Sequence, residues 1–206
     1  DPRFADAAKA HVMQAATYLI RDDASTFHTY YMDVATGAPR YGNTQQGYAD
    51  DSCWSRGQAW GIYGFLLSYI YTGDETMIAL SKRLANYFLN RLPEDYVCHW
   101  DLALVGTDAL RDSSSAAIAV CGLLELVKQL PVTDPDRERY LEWAKGIMST
   151  LTKHYLMGKE EKGNGLLKHS VYHLASNKGV DECASWGDYF YVEALVRFTQ
   201  SWKLYW

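Results

Sequence analysis

The sequence is short of the features that announce most chemistries. Its four cysteines, Cys53, Cys98, Cys121 and Cys183, are scattered with no C-x-x-C pair, a spacing that suggests neither a zinc site nor a disulfide framework. They read as free, mostly buried thiols of a reducing compartment, so the cytoplasm is the expected location and the periplasm the alternative. Lysine and arginine never gather into a block, and the formal net charge is -5. Phosphate backbones and anionic bilayers require a basic footprint, so neither nucleic acid nor membrane is expected as a partner. The longest apolar run is too short to span a bilayer. The opening DPRFADAAKAH reads as a helix start rather than a signal peptide. No P-loop, dinucleotide fingerprint, H-E-x-x-H site or G-x-S-x-G elbow occurs, so no cofactor or metal is expected.

What is abundant is aromatic and apolar: seven Trp and sixteen Tyr in 206 residues, with 48% of the chain hydrophobic. That length can bury a sizeable core, and residues 1–206 are read as one domain. Apolar residues recur at three- and four-residue steps over Arg3–Arg21, Trp54–Thr72, Glu75–Arg91, Ser113–Gln129, Pro135–Tyr155 and Trp186–Trp202, which predicts six helices. The boundaries carry their own chemistry. Asp51 and Ser52 are candidate caps, Gly73 and Asp74 supply a stop and a restart, and Pro135 follows Asp134 as a first-turn proline.

The segments WSRGQAWGIYGFLLSYIY and SSSAAIAVCGLLELV are apolar or small nearly all round, whereas ETMIALSKRLANYFLNRL and PDRERYLEWAKGIMSTLTKHY each have a charged face. Inner and outer helices therefore alternate. The connections Asp22–Cys53, Leu92–Asp112 and Leu156–Ser185 are long and rich in Gly, His, Trp and Asp, and loops of that length inside a domain are usually functional. This is the pattern of an all-α toroid whose pocket lies at the loop end. Three hairpins make only half a ring.

Candidate site residues follow from that geometry. Arg56 and Trp60, four apart, share one face near the start of the first inner helix. They are expected to open into one cavity, offering a sugar acid a charged fork and a flat face. The competing reading pairs Arg56 with Asp50 or Asp51. Those two aspartates, and Asp112 before the serine run, read by default as helix caps. Asp101 in HWDLA is either a site carboxylate or a loop clamp. His28 alternates with aromatics in a β-like stretch and reads, taken alone, as a hydrogen-bonded structural residue.

The segments STFHTYYMDVATG, QGYADDSCWSRGQAWGIYGF, RDSSSAAIA and WGDYFYVEALVR resemble, in order and with similar spacing over nearly the whole chain, the signature segments of glycoside hydrolase family 88, the unsaturated glucuronyl hydrolases. The sister family of unsaturated rhamnogalacturonyl hydrolases, the alternative, typically has RGNGW where this chain has RGQAW. The resemblance implies an (α/α)6 barrel of which this chain supplies about three helical hairpins, the C-terminal half. It also implies hydration of the vinyl ether of a terminal Δ4,5-unsaturated uronic acid, with one aspartate as acid and base. By motif, His28, Gln46, Arg56 and Trp60 fall at substrate positions. Ser176 and Lys178 lie in a segment that contacts sulfate in members acting on sulfated fragments; there His173 replaces a serine, and Gln45 replaces a histidine in the earlier motif. The family's aspartates lie upstream of the segment matching Asp1. The implied partners are thus an unsaturated uronic-acid oligosaccharide and the other half of the barrel. A non-catalytic helical carbohydrate-binding or interaction module stays open as the non-enzymatic reading.

Overall fold

The computed structural model describes residues 2–204. Six α-helices form where the periodicity places them: α1 (Pro2–Tyr18), α2 (Ser55–Thr72), α3 (Glu75–Leu89), α4 (Ser113–Gln129), α5 (Pro135–Thr150) and α6 (Ser185–Thr199). A π-turn over Leu151–Tyr155 continues α5, which accounts for the longer segment read from the sequence. The first and last helices stop three residues short of the predicted Arg21 and Trp202. At the first, the chain turns at once into a bridge between Ile20 and Thr26.

Most boundaries follow the expected chemistry. Gly73 takes the left-handed conformation (φ 68°) and its N–H closes on the Tyr69 carbonyl, ending α2. The carboxylates of Asp74, Asp112 and Asp134 cap α3, α4 and α5 by accepting from backbone N–H groups of the first turn. One expectation fails. Helix α2 begins after Trp54 with no side-chain cap, because Ser52 is bonded instead to Asp101 and the Ala49 carbonyl.

The three long connections are also more ordered than expected. The first holds an antiparallel hairpin of β1 (Thr29–Met32) and β2 (Pro39–Asn43), and the third a hairpin of β3 (Ser170–His173) and β4 (Lys178–Glu182). The second is closed on itself by the bridge His99↔Arg111 and tied to the start of α2 by the bridge Trp54↔Asp101.

Helix α4 is the centre of the molecule, packed against α2, α3, α5 and α6. Every residue from Ser113 to Leu123 is buried. Its small residues allow the close approach: a Cβ at Gly122 would lie 2.8 Å from Ile62 Cγ2 and 3.3 Å from the Tyr63 backbone nitrogen. Helices α2, α4 and α6 thus form an inner layer. The amphipathic α3 and α5 lie outside it, burying Leu84, Ala85 and Phe88, and Tyr140, Ala144 and Ile147. Across the inner layer runs a buried charged knot. The Arg197 guanidinium donates to Glu193 (2.8 Å), Glu125 (2.6 Å) and the Tyr63 hydroxyl (2.5 Å), and Tyr63 donates to Glu193 (2.8 Å). Nothing in the sequence pattern singled out these four residues, because they are spread over three apolar helices: Tyr63 on α2, Glu125 on α4, and Glu193 and Arg197 on α6.

Candidate active site at the loop end

The N-termini of the inner helices and the two hairpins meet at one end, and the family-matched residues lie there. The keystone is Arg56, 3% exposed. Its guanidinium donates to Asp112 (2.9 Å), to the Val171 carbonyl (2.7 Å) and to the Tyr172 carbonyl (3.0 Å). It lies over the rings of Trp54 and Trp186, 4.4 and 5.2 Å from their centroids. Burial pushes the guanidinium below its ordinary pKa, with Asp112 pulling it back. The competing pairing with Asp50 or Asp51 does not form. Asp112 sits 56 residues away in sequence, but the α2–α4 packing brings it alongside, while Asp50 instead accepts from the Thr44 N–H.

Asp112 holds four donors besides Arg56: the N–H groups of Ser114 and Ser115, and their hydroxyls at 2.5 and 2.7 Å. It is at once the N-cap of α4 and the counter-ion of Arg56. Asp101 resolves as the loop clamp. Fully buried, it accepts from Tyr48 N (2.9 Å), Ser52 Oγ (2.6 Å), Cys53 N (3.2 Å) and Ala103 N (3.0 Å). Both carboxylates are sealed and saturated, so neither can hand a proton to a ligand in the cleft.

Gln46 and Arg56 converge on one backbone carbonyl, and His28 joins them through the Gln46 amide. Gln46 Nε2 donates to Tyr172 O at 2.7 Å, beside the bond from Arg56 to the same oxygen. That orients the Gln46 amide, whose Oε1 faces His28 Nε2 at 3.2 Å. His28 Nε2 therefore carries the hydrogen, and Nδ1 accepts from Thr29 Oγ1 (2.7 Å). The imidazole packs against Trp54, 4.8 Å between centroids. Desolvation holds His28 below the ordinary histidine pKa against the bond to Gln46, and nearby Arg56 and His173 add to the lowering.

Trp60 stands one turn deeper on α2, 39% exposed and edge-to-face with Phe190 of α6 at 5.1 Å. Arg56 and Trp60 thus share the helix but not one open cavity: Arg56 is roofed by Trp54, Trp186 and the β3 carbonyls. Ser176 and Lys178 lie on the turn of the second hairpin, both exposed, with Asn177 between them in the left-handed conformation (φ 51°). His173 ties this turn to the first loop through the Gln45 carbonyl (2.6 Å) and bonds Ser176 Oγ. The anchoring role of the Val171 and Tyr172 carbonyls was invisible in the sequence, since a carbonyl has no residue signature. Among the described residues no group of three or more His, Cys, Asp or Glu is placed to hold a metal ion.

An inner layer of three helices backed by amphipathic partners, with the loops gathered at the inner N-termini, defines this chain as a helical half-toroid. Compared with known proteins, it is 49% identical along its whole length to an unsaturated chondroitin disaccharide hydrolase of Streptococcus pneumoniae, covering 52% of that protein. A crystal structure of a mutant unsaturated glucuronyl hydrolase from Streptococcus agalactiae, complexed with dGlcA-GalNAc6S, superposes over the whole chain with a TM-score of 0.91 at 48% identity, over 55% of its own length. The unsaturated glucuronyl hydrolase from Bacillus sp., described as responsible for the degradation of glycosaminoglycan, matches 96% of this chain with a TM-score of 0.92 at 40% identity, over 53% of its length. No protein-family model matches. The chain is homologous along its full length to the C-terminal half of the unsaturated glucuronyl hydrolases, consistent with glycoside hydrolase family 88 and its (α/α)6 barrel. It spans about half the length of the curated relatives it matches.

Proposed function

We propose that this chain is the substrate-binding half of an enzyme that removes the terminal Δ4,5-unsaturated uronic acid from lyase-generated glycosaminoglycan oligosaccharides. A proton is added to C4 of the vinyl ether and water to C5; the resulting hemiketal opens and the glycosidic bond breaks. Trp60 supplies a wall for the sugar ring, His28 and Gln46 hold its polar groups, and the buried Arg56 positions them through the Tyr172 carbonyl that it shares with Gln46. Ser176 and Lys178, exposed on the turn of the second hairpin, are assigned to the next sugar. The observation that supports this reading is that Gln46 and Arg56 share the Tyr172 carbonyl while His28 bonds the Gln46 amide oxygen, so that three family-matched residues are linked into one rim.

The acid that protonates C4 is assigned to the other half of the barrel, since Asp101 and Asp112 are buried and fully bonded. That half is the proposed partner. Free thiols at all four cysteines support a reducing, cytoplasmic setting, and among the described residues no helix is long and apolar enough to cross a membrane. Loss of the conjugated chromophore of an unsaturated chondroitin disaccharide tests the reading. The 206-residue chain is expected to be inert, and mixing it with a separately made N-terminal half to restore turnover. In the full-length protein, Arg56→Ala and Trp60→Ala should each cost about 1–3 kcal/mol in kcat/KM. Robust turnover by this chain alone, or unchanged kcat/KM in both variants, overturns the assignment.

A further inference from the structure

Where α3 returns to the loop end, its outer side and the first loop enclose a cavity of about 480 Å³ that the proposed function does not use. Asp22 of the loop faces Arg83, Asn86, Tyr87, Asn90 and Arg91 across it, the last five recurring at helical steps along one face of α3 and its C-cap turn. The Arg91 guanidinium lies on the Tyr87 ring, 4.2 Å from its centroid. Among the described residues none of its N–H groups has a hydrogen-bond acceptor, so it is a cation held by a ring rather than by an anion. Arg83 spends one donor, on the Asp22 carbonyl (3.1 Å). Asn86 Oδ1 accepts from Arg139 (2.5 Å) and from the Tyr140 hydroxyl (2.9 Å), which fixes the amide and leaves its NH2 group as the unspent donor. The Asp22 carboxylate and the Asn90 amide are likewise unspent among the described residues.

We propose that this cavity is a second, non-catalytic binding site for an acidic oligosaccharide, whose uronate carboxylate is held by Arg83 and Arg91 and whose hydroxyls are held by Asp22, Asn86 and Asn90. A guanidinium fork matches a carboxylate. Two aspartates, Asp22 and Asp23, balance the two arginines in the lining, and that even balance disfavours a compact, multiply charged anion, which would crowd the carboxylates. A ligand that pairs one carboxylate with several hydroxyls satisfies both signs at once. Ala24, in the same wall, is pinned through its carbonyl by Gln58 of α2 (2.8 Å). Four residues separate it from His28, a reach of at most about 14 Å. The cavity therefore lies beside the candidate active site, placed to retain a chain longer than a disaccharide while its end is processed. That use rests on the uronide reading of the loop end; the binding itself does not.

The experiment uses the full-length protein and an unsulfated, saturated chondroitin tetrasaccharide, which carries uronate carboxylates but no C4–C5 double bond to hydrate. Binding is followed by NMR of the arginine side-chain N–H groups, with inorganic sulfate and neutral maltotetraose as controls. A saturable shift of Arg83 and Arg91 is expected with the chondroitin tetrasaccharide alone. Arg83→Gln and Arg91→Gln should each weaken its affinity about tenfold, the worth of a hydrogen bond to a charged group, with kcat/KM for an unsaturated disaccharide unchanged. Arg83 is exposed, so its variant decides the matter even where loss of the Arg91 stack disturbs Tyr87. No shift, an equal shift with sulfate or maltotetraose, or undiminished affinity in Arg83→Gln overturns the proposal. Tetrasaccharide binding here in a full-length protein that never turns over the unsaturated disaccharide upholds this site and overturns the uronide reading instead.

Discussion

Helices α4 and α6 are both inner and both apolar, yet they treat water differently. Helix α4 has protein on every side and buries its N-terminal eleven residues without a break. Helix α6 packs chiefly on α4 and leaves Tyr189, Val192, Leu195 and Phe198 exposed, spaced three apart along one flank. Its charged residues point the other way. Glu193 and Arg197 are sunk in the knot with Tyr63 and Glu125, and Asp188 accepts from the Leu166 and Leu167 N–H groups. An ordinary surface helix does the opposite, as α5 does with its charged outer face. An apolar flank of this kind is the surface that the other half of the proposed barrel would cover, and the relatives are about twice as long.

The comparison can be broken first at its best-packed point. Asp112→Ala removes the cap of α4 and strands the buried guanidinium of Arg56, which is expected to cost about 3–5 kcal/mol, read as a shifted urea midpoint. Asp112→Asn keeps the cap geometry but not the charge, so it should recover only part of that loss. A smaller effect is expected where α2 and α4 touch. Gly122→Ala drives a methyl against Ile62 and the Tyr63 backbone, with an expected loss of about 1–3 kcal/mol and no change in helical circular dichroism.

The exposed flank of α6 sharpens the contrast. Val192→Ser should alter the stability of the 206-residue chain by less than about 0.5 kcal/mol, but in the full-length protein, where a neighbour covers that flank, it should cost about 1–2 kcal/mol. Equal effects in both would show that α6 faces water in the whole protein too. The smallest effect expected is titration. His28 and His99 are both held below the ordinary histidine pKa, first by desolvation. The unfolded chain therefore protonates at a higher pH than the folded one. The stability contributed by the neutral imidazoles is fully present above the unfolded value of about 6.5 and is lost as pH falls toward the lower folded values. His28→Gln and His99→Gln should each flatten that part of the stability curve.

By itself the sequence determined the helices, their alternation and most of their ends, because apolar period, cap residues and stop glycines are local properties encoded within a few residues of where they act. Asp74, Asp112 and Asp134 cap where a reading of the chain puts them, and the half-ring was legible in the count of hairpins. The tertiary structure decided the partners. Asp101 became a clamp rather than a site acid, Arg56 took Asp112 instead of Asp50 or Asp51, and Trp54 closed over Arg56 while Ser52 was drawn away from capping α2. It also decided the knot of Arg197, Glu125, Glu193 and Tyr63. The physical reason is common to all of them. A buried charge or a two-faced imidazole takes its role from whichever donors and acceptors the folded backbone brings within about 3 Å, and for Arg56, Asp101 and Arg197 those include groups tens of residues away along the chain.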